Sequence, residues 1–264
     1  MPKITPRRAA AAALLVGAGL TLAPEARAGG VPVPLKIGDN VPETQFRLTG
    51  PTDVAEFKLK AAAGQDLFVG LQTWYNLHMQ VLDPNGKLLR TFDANGYQDT
   101  PVEEGVEVHA RVGGSYTVRV TGGDYIEYPY TEPTIWALPD CRGGPATKCA
   151  IAPGQTAKAT FGGSNDDDAY VVKATPGKRY VATLQVAAFP PPNNIIYFSD
   201  LKLVDGKGEV VQTQGTGAGS AKRNKAVMKF VMPASGGPFY LQAHPHPASS
   251  YNYRGTFTLS LQQQ

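Results

Sequence analysis

The chain is 264 residues long, with 29 glycines, 22 prolines, two cysteines and a formal net charge of +3. Its first 28 residues hold Lys3, Arg7, Arg8 and Arg27 against Glu25, so the remainder carries 21 basic and 21 acidic side chains and is formally neutral. That neutrality removes the electrostatic basis for nucleic-acid or anionic-membrane binding, and about 236 residues suffice for one large or two modest domains.

The N-terminus reads as an export signal. MPKITPRR is a basic n-region, AAAAALLVGAGLTLA an apolar h-region, and Ala26-Arg27-Ala28 a small-x-small cleavage site before Gly29. A membrane span asks for roughly 20 apolar residues in a row. This run is shorter and glycine-broken, and no later segment suggests a span, so residues 1–28 are expected to be removed.

Strand-like runs separated by turn residues follow, and no stretch after the leader sustains a helical period over three turns. DVAEFKLKAAAGQDLFVGLQ at residues 53–72 returns as DDDAYVVKATPGKRYVATLQ at 166–185, with Asp53, Lys60, Ala61, Gly64, Leu71 and Gln72 falling on Asp166, Lys173, Ala174, Gly177, Leu184 and Gln185. Apolar positions keep the same period-2 phase: Phe57 and Leu59 match Tyr170 and Val172, and Leu67 and Leu71 match Tyr180 and Leu184. MQVLDPNGKLLRT, from Met79, matches LKLVDGKGEVVQT, from Leu201, each a hairpin through an Asp-x-x-Gly turn, Asp83 to Gly86 and Asp205 to Gly208.

The register slips between these blocks. The second copy therefore carries an insertion, placed in AAFPPPNNIIYF, whose Pro190, Pro191 and Pro192 cannot sit in a central strand. VEVHARVGGSYTVRV and MKFVMPASGGPFYLQA, matched at Gly113-Gly114 and Gly236-Gly237, are each expected to form a further hairpin. The last run, GTFTLSL, puts Phe257, Leu259 and Leu261 on one face, and TIWAL around Trp136 is its weaker counterpart. The expected fold is all-β, two tandem jelly-roll-like β-sandwich domains of about six to eight strands each. The first spans residues 29–139 and the second 153–264, with a linker at 140–152.

That linker, within PDCRGGPATKCAIAPG, holds Cys141 and Cys149. In an exported protein the two are expected to pair and stiffen the junction. A metal or redox pair favours closer spacing such as Cys-x-x-Cys.

The repeated pattern resembles the bacterial pre-peptidase C-terminal domain, a small jelly-roll-like sandwich related to the collagen-binding domains of secreted collagenases. The residues carrying it in the second half are Asp166-x-Asp168 before Tyr170, Gly177, the Asp205 to Gly208 turn, and Gly237 before Phe239. The first half departs from it, with Ala55 in place of the second acid before Phe57. The resemblance covers both halves and implies modules that accompany secreted hydrolases as processing, targeting or substrate-binding appendages. In the related collagen-binding domains calcium sits near the corresponding end.

Three clusters could carry binding chemistry. Asn165, Asp166, Asp167 and Asp168 gather side-chain oxygens before a strand, the hard-ligand chemistry of calcium, although such acids also simply cap loops. His244 and His246, two apart in His-Pro-His-Pro, could begin a copper or zinc site with Met228 or Met232 as soft partners, or could merely form a rigid turn. Trp74, Tyr75, Tyr125, Tyr128, Tyr130, Tyr251 and Tyr253 crowd the loops, where aromatics can stack on sugar rings or anchor a protein, or can pack as ordinary strand residues.

No Gly-x-Ser-x-Gly elbow, His-Glu-x-x-His helix or phosphate-cradling Gly-x-x-x-x-Gly-Lys loop occurs. The expectation is a periplasmic or secreted, non-catalytic binding protein whose partner is a cell-envelope protein or polysaccharide, one version being an accessory or inhibitor of a secreted peptidase. The alternative is a metal-dependent module: calcium-gated adhesion through the second domain, or copper or zinc binding through His244 and His246.

Overall fold

The computed structural model of the chain describes residues 31–41, 46, 48, 52–74, 76–94, 102–122, 133–187, 199–216, 224–235, 237–245 and 255–264. The leader, Tyr75, Tyr125, Tyr128, Tyr130, Tyr251, Tyr253, His246 and the triple proline lie outside these residues.

In the first half the strands are β1 (Val33–Leu35), β2 (Asn40–Val41), β3 (Val54–Ala61), β4 (Gln65–Thr73), β5 (Leu77–Leu82), β6 (Leu88–Ala94), β7 (Val102–Ala110), β8 (Gly114–Gly122) and β9 (Thr134–Pro139). The second half adds β10 (Ala150–Ile151), β11 (Thr156–Thr160), β12 (Asp168–Val172), β13 (Arg179–Val186), β14 (Ser199–Val204), β15 (Val210–Gly215), β16 (Lys225–Val231), β17 (Tyr240–Pro245) and β18 (Thr256–Gln263). Each half is a five-stranded sheet facing a four-stranded one. The orders are β1-β3-β8-β5-β6 with β2-β9-β4-β7, then β10-β12-β17-β14-β15 with β11-β18-β13-β16.

These orders correspond strand for strand, so the sequence repeat is a repeat of topology. The all-β, double-sandwich fold follows from period-2 patterning. β16 alternates exposed and buried without a break, and Phe257, Leu259 and Leu261 of β18 all point inward. Each half encloses its own core. Phe57, Leu67, Met79, Val118 and Ile135 belong to one, and Tyr180, Leu201, Met228, Leu241 and Phe257 to the other. At roughly 1.5–3 kcal/mol for each large apolar side chain, this burial is the dominant favourable term.

The Asp-x-x-Gly hairpins form as expected. Asp83 accepts from the amides of Asn85 and Lys87 at 2.8 and 2.9 Å, and Asp205 repeats this with Lys207 and Glu209 at 2.8 and 2.9 Å. Gly86 and Gly208 sit at φ 81° and 88°, where a side chain would be strained. The insertion falls where the slip in register puts it: residues 74–76 join β4 to β5, whereas residues 187–198 join β13 to β14.

The expected hairpin at Gly113-Gly114 is corrected. β7 pairs with β4 in one sheet, while β8 pairs with β3 and β5 in the other, and β16 and β17 separate in the same way. The chain crosses between layers there. A glycine between two alternating runs looks alike whether the second strand pairs with the first or folds over it, because both leave one face apolar.

Cys141 and Cys149, eight positions apart, form the disulfide, with their Cα atoms 5.5 Å from each other. The segment between the halves is laced to the second sandwich. Ala169 and Val171 donate to the carbonyls of Cys141 and Cys149 at 3.0 and 2.9 Å, and β10 within it pairs in parallel with β12. Replacing both cysteines by serine is expected to destabilise the chain by about 2–3 kcal/mol, the loop-closure value for so short a ring. Urea unfolding of the wild type with and without reductant should show the same loss.

Candidate functional site

Two strands of the first half are buried on both faces. β4 turns Leu67, Val69 and Leu71 into its own core, yet Phe68 on the opposite face is 1% exposed, and β9 hides Trp136 completely while Ile135 and Ala137 fill the core. Something must cover that outer face, and it is the second half.

The cover is the segment 161–168, between β11 and β12. Trp136 Nε1 donates to the carbonyl of Gly162 at 2.9 Å. Gly70 and Gly105 face each other across β4 and β7, and Gly70 leaves room for the indole: a Cβ there would fall inside the Trp136 ring. A Cβ on Gly162 would likewise enter the Phe68 ring. Asn165 behaves as a strand partner for the edge of β7, accepting from the Gly105 amide at 3.2 Å and donating to its carbonyl at 2.8 Å. The amide of Ser164 adds a bond to the Glu103 carbonyl at 2.9 Å. An otherwise open edge is thus closed.

Beside this contact lies a dense group of carboxylates from both halves. Asp66 opens β4, Glu107 stands on the outer face of β7, Asp140 follows β9, and Asp166, Asp167 and Asp168 lead into β12. Asp166 and Asp168 are each 2% exposed. Asp166 accepts from the Gly162 amide at 2.5 Å, Asp168 from the Cys141 amide at 3.1 Å, and Glu107 from the Gly143 amide at 3.0 Å. Those amides explain how the loop is held. They leave Oδ1 of Asp166 and Oδ2 of Asp168 buried without a hydrogen bond, and the Asp140 carboxylate with only the Arg142 backbone amide beside it.

The electrostatics follow from burial. Desolvation pushes the Asp140 carboxyl up to about 9, with the charges of Asp166 and Glu107 adding to it. Burial raises Asp166 and Asp168 well above the ordinary range, reinforced by Asp168 on the first and Asp140 on the second. Glu107 is raised by burial too, against the opposing pull of the Gly143 amide and the Arg142 guanidinium. Arg142 places Nε 3.9 Å from Asp66 and 3.8 Å from Glu107, and that Nε makes no hydrogen bond.

The sequence-predicted residues fall into three groups. Asp166 and Asp168 are buried at the junction, while Asp167 turns aside to His244 Nδ1 at 2.5 Å, joining two clusters that the sequence presents separately. Met228 and Met232 are 0% and 5% exposed within the second core, so the expectation of soft ligands beside His244 is corrected: an apolar strand face claims them. Trp74 is 44% exposed in the turn after β4. Glu107, Asp140 and Asp66 were not singled out from sequence. Their only signal was Phe68 and Trp136 on a strand face where polar residues are the rule.

No family model matches the chain, and no curated protein matches it. Among solved structures it is similar to the pre-peptidase C-terminal domain of a collagenase from Bacillus anthracis, at 18% identity over 43% of this chain and 93% of that one, with a TM-score of 0.31. It is also similar to the tandem CBM22 modules of a Paenibacillus barcinonensis protein, at 11% identity over 78% and 82% of the two chains and a TM-score of 0.28. Tandem CBM51 modules of a family 98 glycoside hydrolase from Streptococcus pneumoniae match at 9% identity over 82% and 83%, with a TM-score of 0.27. Likenesses this distant carry no argument about what the chain binds.

Proposed function

We propose that this chain is an exported, non-catalytic binding protein of the bacterial cell envelope that meets a protein or polysaccharide partner at one end of its first sandwich. The observation that carries the reading is Trp74, a large aromatic left 44% exposed while Phe57, Phe68 and Trp136 of the same half are buried. An exposed indole at the tip of a rigid sandwich is suited to stacking on a sugar ring or filling a protein pocket.

Strand register supports that end. Thr73 pairs with Val102, Gln72 with Thr134, and Leu77 with both Ala94 and Gly122. The connection bearing Tyr125, Tyr128 and Tyr130 therefore leaves β8 and enters β9 beside the turn of Trp74. In the second half the equivalent end carries the 161–168 segment that docks on the first half. Among the described residues no helix is long and apolar enough to cross a membrane.

The test is retention of partners from envelope extract by the tagged exported chain, with identification of bound protein and sugar. Trp74→Ala together with Tyr128→Ala and Tyr130→Ala is expected to abolish retention without changing the unfolding midpoint. Retention unchanged in the triple variant would rule out this end of the sandwich.

A further inference from the structure

We propose that a hard divalent cation of the calcium class binds between the two halves, held by Glu107 of β7, Asp140 after β9 and Asp166 before β12, and that it locks the second sandwich onto the first. The inference is independent of the binding partner.

Distance comes first. One oxygen from each of Glu107, Asp140 and Asp166 can be chosen so that all three lie within 4.8 Å of one another. Oxygens around calcium sit about 2.3–2.6 Å from the ion, so two of its ligands are at most roughly 5 Å apart. The three carboxylates are spaced as ligands of a shared ion.

Their unmet bonding points the same way. Asp166, at 2% exposure, has Oδ1 buried without a partner, and no side chain answers the Asp140 carboxylate, which has only the Arg142 backbone amide beside it. A buried carboxylate normally finds donors or a counter-charge. The available positive groups do not suffice. Arg142 stands 3.8 Å from Glu107, Lys148 Nζ is turned to the Gly64 carbonyl at 3.2 Å, and the two nearby histidines face other acids, His109 on Asp66 and His244 on Asp167. The guanidiniums of Arg142 and Arg90 both act on Glu107, and among the described residues no ion pair reaches Asp140, Asp166 or Asp168. Ligands that are all carboxylate oxygens suit calcium, magnesium or manganese rather than copper or zinc.

Glu107 belongs to the first sandwich and Asp166 to the second. An ion that needs both favours the docked arrangement and stabilises it by mass action.

The experiment uses the purified exported chain with its disulfide intact, stripped with chelator and titrated with calcium chloride by calorimetry, with thermal unfolding followed in parallel. One-to-one binding and a midpoint that rises with calcium are expected. Glu107→Gln, Asp140→Asn and Asp166→Asn should each weaken binding at least tenfold. Because each replaces a carboxyl whose charged form burial disfavours with a neutral amide of the same shape, each variant in chelator should be at least as stable as the wild type, which separates loss of a ligand from failure to fold. Absence of both heat and a midpoint shift at millimolar calcium would overturn the proposal. Binding that survives Glu107→Gln would overturn it as well, by confining the ion to the second half.

Discussion

Trp136→Ala is expected to destabilise the chain by about 3–5 kcal/mol, the cost of emptying a fully buried large aromatic site. The indole fills the face above Gly70 and donates to the Gly162 carbonyl, so its removal opens a cavity at the contact between halves and leaves that carbonyl without its donor. Trp136→Phe separates the two effects. It keeps much of the apolar volume and should cost about 1–3 kcal/mol for the unsatisfied acceptor. Denaturant unfolding of the three proteins measures both. If the contact joins the halves into one cooperative unit, the alanine variant should also resolve into two transitions of smaller m-value. A loss below about 1 kcal/mol would mean the contact contributes little, since buried aromatic truncations ordinarily cost several times that.

Gly105→Ala is expected to be comparably damaging, although it adds one methyl group. A Cβ at this position would collide with the Val69 backbone carbonyl and lie 2.6 Å from a Phe68 ring carbon. The carbonyl cannot rotate away without breaking the β4–β7 ladder, so about 3 kcal/mol, the upper part of the overpacking range, is expected. Gly86→Ala is the control. Its position has φ of 81° and open space around it, so the change should cost only about 1–2 kcal/mol of local conformational strain. Equal effects at the two sites would show that the close strand approach at Gly105 is not what limits this position.

Much of the architecture was legible because the signals were local. Alternation in β3, β13 and β18, the Asp83 and Asp205 turns and the cysteine pair each lie within a few residues of what they specify. The sheet assignment of β7 and β8 was not, because the choice between pairing beside and folding over depends on partners far along the chain. The carboxylate cluster was half legible. Asp166 and Asp168 stand in a recognisable acidic run, but Glu107 and Asp140 look like solvated charges until the second sandwich covers them. Phe68 and Trp136 in outward register were the remaining clue, and each is also an ordinary strand former.

The docking contact is head-to-side: a loop at the tip of one sandwich meets the flat of another. A contact of that kind, unlike a two-fold one, presents an unused copy of each surface and can in principle add units without end, into a fibre. Here the second sandwich does not repeat the receiving surface. By strand pairing, the positions of Gly70, Gly105 and Trp136 are taken in the second sandwich by Thr183, Val227 and Ser260. Branched side chains stand where the glycines made a socket, and no indole waits to receive a loop carbonyl. The socket is thus particular to the first sandwich, and the divergence between the repeats makes the contact one-way.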